Sequence, residues 1–264
     1  MTNTVPALPV VVALAERELV RFFRQRNRVI GGLVQPVLFW LLFSEGFRQR
    51  DLGYAHFFPG TLAMILLFTA IFATISIIED RNEGFLQGVL VAPTPRWAMV
   101  LGKLLGGSAI AMIQALLFLA LGWARVPEIT PTVPYALLAV VMMTLVSIAL
   151  TGLGFLIAWR MDSTQGFHAI MSVFLLPMWL LSGALFPQGA DGLLGWVVAV
   201  NPLTYGVTGL RRYLEIGDAV TSPSAAVEGL PPLWLCWLVT GVFAAVMLAA
   251  CTWIAGTRTR SDYK

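Results

Sequence analysis

Of 264 residues, 58% are apolar and 12% are charged, with a mean hydropathy of +0.81 and a formal net charge of +3. Soluble domains carry about 25% charged residues, so this chain lacks the polar shell that water requires and needs a bilayer as solvent. The 17 basic residues sit at the ends of apolar runs rather than in one patch, which argues against a nucleic-acid partner.

Residues 1–28 read as a cytoplasmic amphipathic interface helix, helical from residue 8. At about 100° per residue, Arg17, Arg21, Arg24 and Arg28 share one face, and Val12, Ala15, Leu19, Phe22 and Phe23 lie opposite. That pattern suits a helix in the membrane interface with its arginines towards anionic headgroups. A cap packed on protein is the alternative; the run into the first span favours the interface, and Arg26 departs from the basic face. The first charge is Glu16, so the basic start of a signal peptide is missing and the first span is expected to insert the chain.

The expected fold is all-α, a polytopic membrane protein with six spans over residues 29–256. Runs without Lys, Arg or Asp place them at Val29–Phe47, Phe57–Ile78, Leu104–Ala124, Tyr135–Trp159, Phe167–Pro187 and Leu233–Gly256. Pro36 and Pro177 should bend the first and fifth. Twelve Lys and Arg flank one side and five the other, so both termini, including the tail 257–264, are expected in the cytoplasm.

Two connections exceed simple turns. In the cytoplasmic segment 79–103, Phe85, Leu86, Val89 and Leu90 fit one face of a short helix over 82–92, ended by Pro93 and Pro95. The external segment 188–232 holds an apolar stretch, Gly192–Val200, too short to span and therefore re-entrant or interfacial.

The chemistry is mostly absence. Gly102-Lys103-Leu104-Leu105-Gly106-Gly107 lacks the upstream glycine and the following Ser or Thr of a phosphate loop, so ATP hydrolysis in this chain is not expected. There is no HExxH motif, and His56 and His168 lack partners at ligand spacing, so no metal, cofactor or catalytic residue is assigned. Ser182-Gly183 lacks a protease context and reads as a packing spot. Cys236 and Cys251 stand fifteen positions apart in one apolar run, beyond disulfide reach at about 1.5 Å per residue. Glu45 and His168 sit at span edges, so no coupling charge lies at the midplane. Gly102, Gly106, Gly107, Thr151, Gly152 and Gly154 mark close helix contacts, either a dimer seam or packing within the chain. Such a domain draws its energy from elsewhere, or it is a passive channel or scaffold.

The chain resembles the permease subunits of type-2 ATP-binding-cassette transporters, the group that exports drugs, lipids and polysaccharides. The likeness runs from RNRVIGGLVQPVLFWLLF at 26–43 through FFPGTLAMILLF at 57–68 and EDRNEGFLQGVLVAPTPRWAMVLGK at 79–103. It continues through LLPMWLLSGALFP at 175–187 and NPLTYGVTGLR at 201–211. The family's cytoplasmic acidic-glycine-leucine-proline pattern falls on Glu79, Glu83, Gly84, Leu90 and Pro93, with Gln87 where an acid is frequent. The resemblance implies six spans, an interface helix, a coupling helix and a re-entrant outer segment. It also implies a separate ATPase subunit that binds ATP and Mg, and a second copy or a paralogous permease in a bacterial inner membrane. Phe85 and Leu86 join that pattern as expected ATPase-coupling residues.

Overall fold

In the computed structural model, residues 6–47, 54–127, 129, 131–184, 192–214 and 230–257 are described. Among them are eleven α-helices and no strand. α1 (Ala7–Arg24) passes through a break at Gln25 into α2 (Arg26–Gly46). α3 (Tyr54–Ala73) and α4 (Ile75–Asn82) form one span bent at Thr74, whose hydroxyl donates to the Ile71 carbonyl at 2.6 Å. The short α5 (Phe85–Val91) precedes three long helices, α6 (Arg96–Arg125), α7 (Val133–Ala158) and α8 (Thr164–Trp179). α8 ends in a π-helical turn, Leu180–Ala184, where Gly183 has φ +78. α9 (Leu193–Val200), α10 (Pro202–Tyr213) and α11 (Leu233–Thr257) complete the chain.

Among the described residues, six helical stretches are long and apolar enough to cross a membrane, and each overlaps an expected span: Val29–Gly46, Tyr54–Asn82, Arg96–Arg125, Val133–Ala158, Thr164–Ala184 and Leu233–Thr257. Exposed tryptophans mark their ends, Trp97 and Trp253 at one side, Trp123 and Trp234 at the other, where an amphipathic ring suits the headgroup level.

The second span is the centre of the bundle. α3 is apolar around its whole circumference, which a helix tolerates only when enclosed, and α2, α6, α7, α8 and α10 pack around it. Between lipid-solvated helices there is no hydrophobic drive to associate, so close backbone approach must supply the attraction. A Cβ on Gly107 would stand 2.7 Å from the Thr151 side chain, one on Gly152 2.8 Å from Met247, and one on Gly154 2.8 Å from the Thr74 hydroxyl. These small residues therefore serve packing within the chain.

Several boundaries depart from expectation, among them the short helix expected over 82–92, which is found at Phe85–Val91 because α4 runs on to Asn82. The N-terminal helix ends at Arg24, so Arg28 belongs to α2, and its side chain lies outside the described part. α6 begins at Arg96 rather than Leu104, because Lys103 is neutralised inside the protein and does not mark a loop. After α9, the chain forms α10, most of whose side chains are enclosed. Asn201 and Pro202 start α10: the Asn201 side chain accepts from Leu203 N at 3.1 Å, and proline occupies a first-turn position that needs no donor.

Candidate functional site

The segment 79–103, expected to couple the chain to a partner, is built around a buried ion cluster. Gly102 and Gly106, one turn apart on α6, open a groove for α1: added Cβ atoms would stand 2.7 Å from Leu14 Cβ and 2.7 Å from Glu18 Cβ. The buried stripe of α1 is Val11, Leu14, Glu18 and Phe22, so a carboxylate enters with the apolar residues. It meets Lys103 Nζ at 2.5 Å, and the same ammonium group bonds Asp80 at the end of the second span.

Asp80 is the centre of this cluster. Arg17 grips it with two bonds, Nη2 to Oδ1 at 2.7 Å and Nη1 to Oδ2 at 3.0 Å, and Arg21 Nη1 adds a third at 2.7 Å. Arg21 also pairs with Glu79 at 2.9 Å and Glu83 at 3.2 Å. The Asp80 side chain is 0% exposed, and those of Glu18 and Lys103 are 4% exposed. Burial by itself would lower the Arg17 guanidinium, but its hydrogen bonds with Asp80 and the charges of Asp80, Glu18 and Glu83 outweigh that and raise it above its ordinary value. Buried ions repay their lost hydration only when every charge is paired, and the packing of α1 on α6 makes that pairing possible.

Arg17 and Arg21 therefore face protein carboxylates. Of the expected headgroup-facing arginines within α1, Arg24 is exposed, and so are Leu8, Val12, Val20 and Phe23. The apolar face expected on α5 is turned towards the protein's own core. Leu86 is 4% exposed, and Phe85, Val89 and Leu90 pack on the same core, with the Arg17 guanidinium 3.8 Å from the Phe85 ring centre. The chain itself covers this apolar side. Left outward are Glu83, Gly84, Gly88, Val91 and Pro93. Gly84 takes φ +79, a left-handed conformation that makes the tight joint between α4 and α5. The mutual pairing of Glu18, Asp80 and Lys103 escaped the sequence reading. The signal was a glutamate four residues from Leu14 and Phe22, and a lysine flanked by Gly102 and Gly106.

Residues 9–214 match the model of the ABC-2 type transporter family. The chain belongs to the ABC-2 type transporter family. It is the transmembrane permease subunit of an ABC transporter, an integral membrane protein whose partner is an ATPase. The putative transport permease ycf38 of Cyanophora paradoxa is 25% identical over 210 residues, covering 75% of this chain and 71% of that protein. The probable multidrug ABC transporter permease YbhR of Escherichia coli K12 is 29% identical over 215 residues, covering 78% of this chain but 55% of that protein. This permease thus matches little more than half of YbhR. The ycf38 protein of Porphyra purpurea is 23% identical over 211 residues, covering 76% of this permease and 72% of the relative.

The permease also carries a crevice of about 240 Å³ between α2, α3, α6 and α8, lined by Gln35, Phe68, Thr69, Phe72, Gln114 and His168 among others. Thr69 donates to Gln114 Oε1 at 2.5 Å, and Gln114 Nε2 donates to the Val29 carbonyl at 3.3 Å. Gln35 and His168 are exposed although both lie in spans. At the opposite end of the permease, Asn201 Nδ2 donates to the Met178 carbonyl at 2.6 Å, beside the π-helical turn, and Trp179 Nε1 donates to the Gly60 carbonyl at 2.7 Å. Among the described residues, no group of three or more His, Cys, Asp or Glu could hold a metal ion.

Proposed function

We propose that this permease is an exporter that works with a second copy of itself, or with a paralogue, in a bacterial inner membrane. A separate ABC ATPase docks beneath α5 and supplies ATP and Mg chemistry. Both termini lie on the ATPase side, as the twelve-to-five distribution of basic residues favours. The observation that carries the reading is the construction of the coupling segment. Its inner side is fixed to α1 and the span ends by ions and apolar contacts, while Glu83, Gly84, Gly88, Val91 and Pro93 face out at the joint between two spans. A force applied there has no slack to take up before it reaches the helices. Glu79, Glu83, Gly84, Phe85, Leu86, Leu90 and Pro93 remain the coupling residues, the buried ones as anchors and the outward ones as contacts.

The second copy is supported by Gln35 and His168. Polar side chains exposed within spans are costly against acyl chains and are better placed along a shared, hydrated path. The amide and hydroxyl groups of that crevice, set beside Phe68 and Phe72, suit an amphiphile with a polar head. A relative named as a probable multidrug ABC transporter permease agrees with a drug-like cargo.

A passive channel or scaffold would need no such partner. Inverted membrane vesicles holding the permease and an ABC ATPase that co-purifies with it should accumulate a fluorescent amphiphile when ATP is added outside. ATP-independent equilibration would favour the passive channel, and ATP-driven loss from preloaded vesicles would reverse the direction assigned here.

A further inference from the structure

We propose that Arg81 and Arg96 are positioning residues that carry movement of the coupling segment to the inner ends of α7 and α11; this rests on the ATPase docking at that segment. The two arginines flank it, Arg81 in the last turn of α4 and Arg96 as the first residue of α6.

Each reaches across the bundle to the end of a different span. Arg81 Nη2 donates to the Trp159 carbonyl at 2.7 Å, and Nη1 donates to the Met161 carbonyl at 2.8 Å and to Asp162 Oδ1 at 3.3 Å. Those groups lie just beyond α7. Arg96 Nη1 donates to the Ala255 and Gly256 carbonyls, both at 3.0 Å, in the last turn of α11. A helix leaves its last four carbonyls without partners and gathers partial negative charge there, so a guanidinium fits both ends. The planar fork also fixes direction as well as distance, which an ammonium point charge does not.

These bonds join residues 78 to 81 positions apart for Arg81 and 159 to 160 apart for Arg96. The Arg81 side chain is 15% exposed, and Trp159 beneath it is 1% exposed, so the first link is set into the protein. Beyond the links, α7 and α11 pack on one another and both pack on α10. The Asn201 cap at the start of α10 holds the end of α8. Displacement of the segment therefore has a contiguous route to the far end of the bundle, without passing through α2.

The test uses spin-label distances on the full permease in nanodiscs. Gly88 and Gly256 are suitable label sites because an added Cβ meets nothing within 4 Å at either, and Arg160 is exposed beyond α7. Without the ATPase, the Gly88–Arg160 and Gly88–Gly256 distances should both be narrow. Arg81→Gln should broaden only the first and Arg96→Gln only the second, in samples that elute as monodisperse protein. Arg81→Lys should leave the first broad. With the ATPase bound, trapping with ATP and vanadate should shift labels at Gly88, Arg160 and Gly256 together in the parent. Arg160 should lose its shift in Arg81→Gln, and Gly256 in Arg96→Gln. Unbroadened distances in the glutamine variants would overturn the positioning roles. Parent-like shifts in those variants would overturn transmission. A parent in which Gly88 itself stays still overturns the docking reading and transmission with it, and is told apart by the broadening seen without the ATPase.

Discussion

Lys103 and Glu18 meet at 2.5 Å although 85 residues separate them, and each side chain is 4% exposed. The contact exists only because Gly106 lets α1 lie against α6, and Asp80 closes on the same ammonium group from a third helix. One lysine thus serves two enclosed carboxylates.

Lys103→Met should leave Glu18 and Asp80 without their shared cation. Removing one partner of a buried pair costs about 3–5 kcal/mol, so the melting temperature of the purified permease should fall sharply. Glu18→Gln in the same chain should recover part of the loss. A double variant no more stable than Lys103→Met would show that the two groups do not depend on each other.

Arginines of the N-terminal helix should separate into two groups. Arg17→Gln and Arg21→Gln each remove charged hydrogen bonds to Asp80, worth about 1.5–3 kcal/mol apiece, whereas Arg24→Gln removes an exposed charge. Thermal unfolding in detergent, where anionic lipid is absent, should be lowered by the first two and unaffected by the third. Equal effects from all three would return the helix to a headgroup-binding role.

Asn201 does two jobs, and they can be parted. Asn201→Leu should lose the cap of α10, about 1 kcal/mol, and strand the Met178 carbonyl, a further cost of about 1–3 kcal/mol. Asn201→Ser keeps a capping oxygen but is too short to reach Met178, so its melting temperature should fall between the two. A serine variant as stable as the parent would mean that the bond to Met178 contributes nothing.

Sidedness can be read with two cysteines. Asp162→Cys, at a side chain 91% exposed, should react with an impermeant maleimide only in inverted vesicles. Ser224→Cys, outside the described residues, should react only from the cell exterior. Reaction of both from one side would refute the orientation taken from the basic residues.

The spans were legible because a bilayer demands long uncharged runs and little else satisfies it. The same rule hid the start of α6, since Arg96 and Lys103 look like loop residues until their partners are known. α10 was hidden for the opposite reason: PLTYGVTGLRRY is polar and small, and only contact of Gly206 with Val146 and Gly209 with Met142 reveals its burial. Its Asn-Pro start was a readable cap that the reading did not use. On α5 the apolar face was found correctly, but sequence does not say whether such a face meets a partner or its own chain. The ion cluster joins α1, α4 and α6, and no local pattern reports on groups so far apart.

The groove at Gly102 and Gly106 also has a consequence for how the protein is made. α1 is synthesised about eighty residues before that groove exists, an interval of roughly 4–16 s at translation rates of about 5–20 residues per second. Until α6 emerges, Glu18 has no lysine and Leu14 has no groove to enter. A helix with one basic face and one apolar face has a natural resting place in that interval, the membrane surface beside the ribosome exit. The amphipathicity of α1 then serves the nascent chain, as a waiting position left behind once the third span arrives.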